Sequence, residues 1–124
     1  MLIINSTIQH PPQLRLAMIA NTILGPQYEV TLNYIGPQRA QTLNQTTRGK
    51  SYIPNVLSFP LTDTAGELYL CPAAAKREAA DFDLSEKGYL TYLFIHGCLH
   101  LQGLEHGKQM DTLEARYCDE FKVT

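Results

Sequence analysis

A chain of 124 residues with 44% apolar and 18% charged side chains is sized for one domain, residues 1–124, with a core that needs no staples. Its net charge of −2 gives no global signature of a nucleic-acid binder, so any such affinity has to come from a local cluster of cations. The cysteines, Cys71, Cys98 and Cys118, are odd in number and lack C-x-x-C spacing, which argues against a disulfide framework and for reduced thiols in the cytoplasm.

The opening "MLIINSTIQHPP" has no basic region and only three consecutive apolar residues after Met1. It reads as neither a signal peptide nor an anchor, and no stretch reaches the ~18 apolar residues of a spanning helix, so no membrane association is expected. "LIINSTI" (2–8) is rich in β-formers and reads as a first strand. "HPPQLRLAMIANTIL" (10–24) reads as a helix opened by its prolines and closed by Gly25-Pro26, with His10 exposed at its start. In "QYEVTLNYI", Val30, Leu32 and Tyr34 alternate with Glu29, Thr31 and Asn33, as in a half-buried strand. "QRAQTLNQ" after Gly36-Pro37 suggests a short helix. "NVLSF" (55–59) and "ELYLC" (67–71) read as strands joined through "LTDTAG" by a hairpin-like connection. "PAAAKREAADF" is a helix by its proline start and alanines. Ser85 is a suitable N-cap for "EKGYLTYLFIHGCLHLQ". In "KQMDTLEARYCDEF", Met110, Leu113, Tyr117 and Phe121 form one stripe of a terminal helix. About four strands and five helices, mixed along the chain, predict an α+β layer arrangement of unread strand order.

The chemistry concentrates in "IHGCLHLQGLEHG" (95–107), which holds three of the four histidines. His96 and His100 are four apart, so on a helix they share a face one turn apart, where two imidazoles can reach one ion. The pair alone is equally compatible with chance or a pH-sensitive patch. His106 cannot join them on a continuing helix, because six residues at ~1.5 Å rise place it about 9 Å further along, against metal–nitrogen bonds of ~2 Å. The helix therefore has to stop and the chain fold back, and Gly103 stands where a left-handed residue would end it. Three histidines with no obvious fourth protein ligand is the pattern of a catalytic zinc with one position left for water. Cys98 lies about 200° around the helix from His96 and is expected in the core.

In H-E-x-x-H metallopeptidases the residue after the first histidine is the general base, but here it is Gly97. Glu105, the segment's only carboxylate, can orient a ligand, take a proton from water, or be a solvated turn residue.

"HGCLHLQGLEH" resembles the H-G-x-L-H-L-x-G-(Y)-(D)-H signature of the YbeY family of bacterial rRNA maturation factors, described as single-strand endoribonucleases. "RGKSYIPNVLSFP" (48–60) is similar to that family's R-G-x-x-x-x-T-(N/D)-V-L-S-F-P stretch, and "GELYLCPAAAKREA" to its strand leading into a helix. Thr47, Pro54 and Leu104-Glu105 depart from the usual tyrosine, threonine and Y-D. The resemblance implies a small mixed sheet packed with helices and a zincin-like site in which His96, His100 and His106 bind one zinc ion. It implies that Arg48, otherwise readable as an exposed loop cation, acts near that ion, where its fork suits a phosphate, and Lys50, two residues on, can add attraction for the RNA backbone. The implied reaction is hydrolysis of single-stranded RNA in rRNA processing and ribosome quality control, with ribosomal proteins or the small subunit as further partners. Nickel and copper also accept imidazole. Two rival classes stay open: a non-catalytic ribosome assembly factor in which zinc only pins helices together, and a small metallopeptidase-like hydrolase, weakened by Gly97.

Overall fold

The computed structural model describes residues 1–124. Strand β1 (Leu2–Ser6), helix α1 (Ala17–Leu24), β2 (Glu29–Tyr34), α2 (Pro37–Arg48), β3 (Val56–Thr62), β4 (Ala65–Leu70), α3 (Pro72–Ala79), α4 (Glu86–Leu101) and α5 (Lys108–Glu120) follow in order, with a 3₁₀ turn at Ala80–Phe82. The sheet order is β1-β2-β4-β3. β1, β2 and β4 are parallel and β3 runs antiparallel to β4. This is the α+β arrangement of four strands and five helices that the alternating patterns predict.

The two central strands carry the clearest alternation. Val30, Leu32 and Tyr34 in β2, and Gly66, Leu68 and Leu70 in β4, are buried while their neighbours are not. These residues pack with Leu16, Ile19, Ala20 and Ile23 at α1 and with the inner side of α4. Ten of the sixteen α4 residues are buried, which makes it the central helix of the fold rather than a surface one. Ser85 caps it as expected, its hydroxyl accepting from the Gly88 amide at 3.0 Å. A second apolar cluster, Ile35, Ala40, Cys71 and Ala74, seats α2 and α3 at the ends of β2 and β4.

Several boundaries differ from the sequence expectation. α1 begins at Ala17, not at the prolines, with Leu16 as its N-cap, and residues 11–16 carry no regular structure. His10 is exposed but starts no helix. α2 runs three residues past Gln45, and Gly49, with φ +69°, ends it by donating its amide to the Gln45 carbonyl. Arg48 is therefore the last helical residue rather than a loop cation. β3 continues through Pro60, which an edge strand tolerates because one side of its backbone needs no ladder partner. The two-residue turn Asp63–Thr64 makes the connection to β4 a tight hairpin. No helix is long and apolar enough to cross a membrane.

Candidate metal centre and its cleft

α4 presents His96 and His100 on one side, and then the chain reverses as the spacing predicts. The helix stops at Leu101, and Gly103, at φ +102°, donates to the His100 carbonyl at 2.9 Å. The Leu104 amide then reaches back to the Leu99 carbonyl at 3.1 Å. His106 returns beside the pair, with ring centroids 5.1 Å from His96 and 4.9 Å from His100. One ring nitrogen from each of the three lies within 4.8 Å of the others, so the group could hold a metal ion.

The partners of the outer nitrogens decide whether the inner ones suit that task. His100 Nδ1 lies 2.9 Å from the Leu104 carbonyl, which can only accept, so Nδ1 carries the proton and Nε2 a lone pair. His96 Nδ1 bonds the Glu114 carboxylate in the same way. The two Nε2 atoms face each other at 3.0 Å. With both outer nitrogens protonated, two lone pairs confront one another there, an arrangement that repels unless a cation accepts both. The donor set fits a first-row divalent metal: three imidazoles, two of them, His96 and His100, fixed by a hydrogen bond from the far nitrogen. Burial, and then the neighbouring His96, hold His100 below the usual imidazole range, which keeps its lone pair available.

Around this group lies a cleft of about 600 Å³, walled by β3 on one side and the returning 103–106 segment on the other. Arg48 and Glu105 both line it, so the structure gathers all five residues singled out in the sequence. Arg48 donates from Nη1 to Asn44 Oδ1 at 3.1 Å and to Tyr52 Oη at 3.0 Å, leaving the Nε and Nη2 donors free. Glu105 is exposed and makes no hydrogen bond or ion pair. Lys50 is exposed and does not line the cleft.

Gly97 is buried where α4 presses on the sheet. A Cβ there would sit 2.7 Å from Leu68 Cδ2 and 3.2 Å from Ser58 Oγ, so a glutamate is excluded by packing. Cys98 is fully buried, as expected, and burial pushes its thiol well up.

Two residues escaped the sequence reading. Glu114, only 7% exposed, bridges His96 and the Tyr92 hydroxyl, which donates to Oε2 at 3.1 Å. Its signal was present: it falls within the apolar stripe of α5, four residues from Met110, where a charge needs a partner. Asn44, with no exposure, donates to the Tyr52 carbonyl at 3.0 Å while accepting from Arg48. Nothing in the sequence distinguishes it from an ordinary helical asparagine.

A family model described as Endoribonuclease YbeY matches residues 6–121. Proteins named Endoribonuclease YbeY from Aromatoleum aromaticum and Bdellovibrio bacteriovorus are each 38% identical, over stretches covering 71% and 77% of this chain and 62% of each relative. The one from Alkaliphilus metalliredigens is 31% identical over 110 residues, covering 80% of this chain and 71% of that protein. The chain thus spans a little under two thirds of the first two relatives' length. The solution structure of TM1509 from Thermotoga maritima is similar with a TM-score of 0.67 and 25% identity, covering 98% of this chain and 92% of that one. A family model matched over nearly the whole chain, together with relatives 31–38% identical over the aligned stretches, makes this chain a member of the Endoribonuclease YbeY family.

Proposed function

We propose that this chain, as one domain over residues 1–124, is a zinc-dependent endoribonuclease that hydrolyses phosphodiesters of single-stranded RNA. Its place is the cytoplasm, in rRNA maturation and ribosome quality control, with the small ribosomal subunit and its proteins as partners. The observation that carries the reading is the convergence of three imidazole nitrogens in the wall of a cleft that also presents an arginine fork. The name borne by the relatives, Endoribonuclease YbeY, supplies the reaction class.

His96, His100 and His106 hold the metal. When bound, it supplies Lewis acidity toward a phosphoryl oxygen and lowers the pKa of water toward ~7. Arg48 holds the phosphate. Its Nη1 is engaged by Asn44 and Tyr52, so its remaining edge is pre-set to meet two phosphate oxygens and to offset charge as it builds. Glu105, exposed at the cleft rim, takes the proton from the attacking water. Glu114 keeps the His96 proton on Nδ1 and the lone pair on Nε2.

The test is cleavage of single-stranded RNA and of the matching duplex by metal-loaded protein, with elemental analysis of the metal. His100→Ala is expected to fall to background, and Arg48→Ala to lose about 10²–10³-fold, as for removal of a charge-stabilising donor. If both variants cut like the wild type, the activity does not belong to this site. If metal-replete Arg48→Ala cannot cut yet restores growth to cells lacking the protein, the non-catalytic assembly reading replaces this one. Glu105→Gln at full activity would remove Glu105 from the mechanism.

A further inference from the structure

The segment between α2 and β3 exposes an aromatic ring beside Arg48. Tyr52 keeps 54% of its surface in solvent, yet it is held at both ends. Its carbonyl accepts from the buried Asn44 amide at 3.0 Å, and its hydroxyl accepts from Arg48 Nη1 at 3.0 Å. The strand of loop before it is tied as well, since Gln41 Nε2 donates to the Ser51 carbonyl at 2.7 Å. Tyr52 lines the same cleft as the three histidines. More than half of this residue's surface is not used for apolar burial, and the ring is anchored where it stands. A ring held in place loses little side-chain freedom when something stacks on it.

Resting on the nuclease reading above, we propose that Tyr52 is the stacking platform for the nucleobase next to the phosphate held by Arg48. One anchored pair then reads two neighbouring parts of a nucleotide: the guanidinium takes the phosphate and the phenol ring takes the base face. Stacking is indifferent to base identity, because every base has a π-face, so the platform gives affinity without a sequence rule. It also requires a base whose face is free. A base inside a duplex is stacked on its neighbours and has to be extracted first. The platform therefore selects unpaired RNA by the shape of one subsite.

Binding is measured by the fluorescence anisotropy of a labelled RNA hexanucleotide, its length checked on a denaturing gel after each titration so that affinity is read on uncut ligand. The panel is the wild type, Tyr52→Phe and Tyr52→Leu, each against the intact oligonucleotide and against one that is abasic at every position. Tyr52→Leu is expected to bind about 5–150-fold more weakly, the range that loss of one base–aromatic stack gives. Tyr52→Phe keeps the ring and should stay within about threefold of wild type on the same scale. Abasic sites throughout should weaken the wild type at least as much as Tyr52→Leu does, and on that oligonucleotide the wild type and Tyr52→Leu should bind alike. Wild-type affinity in Tyr52→Leu overturns the proposal. So does an equal loss in Tyr52→Phe, which would assign the effect to the hydroxyl that tethers Arg48. A wild type that neither binds nor cuts RNA refutes the nuclease reading and this inference together. A wild type that does both, beside an unaffected Tyr52→Leu, refutes only this one.

Discussion

Glu114→Gln is the sharpest perturbation of the metal centre that leaves every proposed ligand in place. Glu114 is buried, accepts from the Tyr92 hydroxyl on one oxygen and bonds His96 Nδ1 with the other. No lysine or arginine pairs with it, so the His96 ring is the route by which its charge meets a cation. Glutamine has the same shape but only one accepting atom. Whichever way its amide turns, either Tyr92 or His96 meets an NH₂ group, and His96 loses a charged acceptor in any case. Outer hydrogen-bond partners of metal-bound histidines are worth about 10–100-fold in affinity, equivalent to about 1.4–2.7 kcal/mol. That loss is expected in a competition titration against a chromophoric chelator at fixed pH. Tyr92→Phe retains the carboxylate and is expected to stay within about threefold of wild type. Glu114→Gln within twofold of the wild-type constant would refute the reasoning, as would Tyr92→Phe falling as far as Glu114→Gln.

Metal removal by a chelator should lower the urea midpoint, because an ion bound only by the fold adds about 2.7 kcal/mol at a free concentration one hundred times its dissociation constant; an unchanged midpoint would show that the three histidines bind nothing. Gly97→Ala should cost about 1–3 kcal/mol by urea denaturation, since the new Cβ meets Leu68, itself without exposure and so without room to give; a loss under about 0.5 kcal/mol would mean that α4 rides free of the sheet. Alkaline pH should destabilise the fold. Burial raises Cys118 to about 11 and Tyr34 and Tyr92 to about 12, against ordinary values of 9.0 and 10.0. The unfolded chain therefore releases these protons first: their stabilisation is intact below pH 9 and is lost progressively as pH rises toward 11 and 12. A flat urea midpoint between pH 8.5 and 10.5 would contradict this.

The site was legible where one short segment fixes geometry by itself. The 96/100 spacing and Gly103 together force a helix, a stop and a return, and the backbone follows that course. Strands β2 and β4 were legible for a similar reason: each buries one face, and period-two alternation records it. What stayed hidden depends on tertiary approach. Arg48 reaches the cleft because α2 extends to Gly49, which local propensity understated. Asn44 and Tyr52 act through a loop whose course no periodicity encodes. The prolines at 11 and 12 misled because a proline pair suits a helix start without requiring one, and the helix begins only at Ala17. Glu114 was readable only as an anomaly, a carboxylate on the inner stripe of α5, and its partner lies 18 residues away on another helix.

Gly97 carries the strongest argument about which chemistry this scaffold can and cannot run. The two-histidine helix is shared with peptidases, where the residue after the first histidine supplies the base. Here that residue faces away from the cleft, into the sheet, against Leu68 and Ser58. The Ser58 hydroxyl donates to the Gly97 carbonyl at 3.4 Å, so a side chain of the edge strand meets the helix backbone at this point. A carboxylate placed there would enter the core unpaired, at a cost of several kcal/mol, rather than reach a substrate. Restoring the peptidase pattern by Gly97→Glu should therefore unfold the protein and yield no peptidase activity. Position 97 therefore supplies no proton acceptor to this centre, and in the reading proposed above that part falls to Glu105, which lines the cleft.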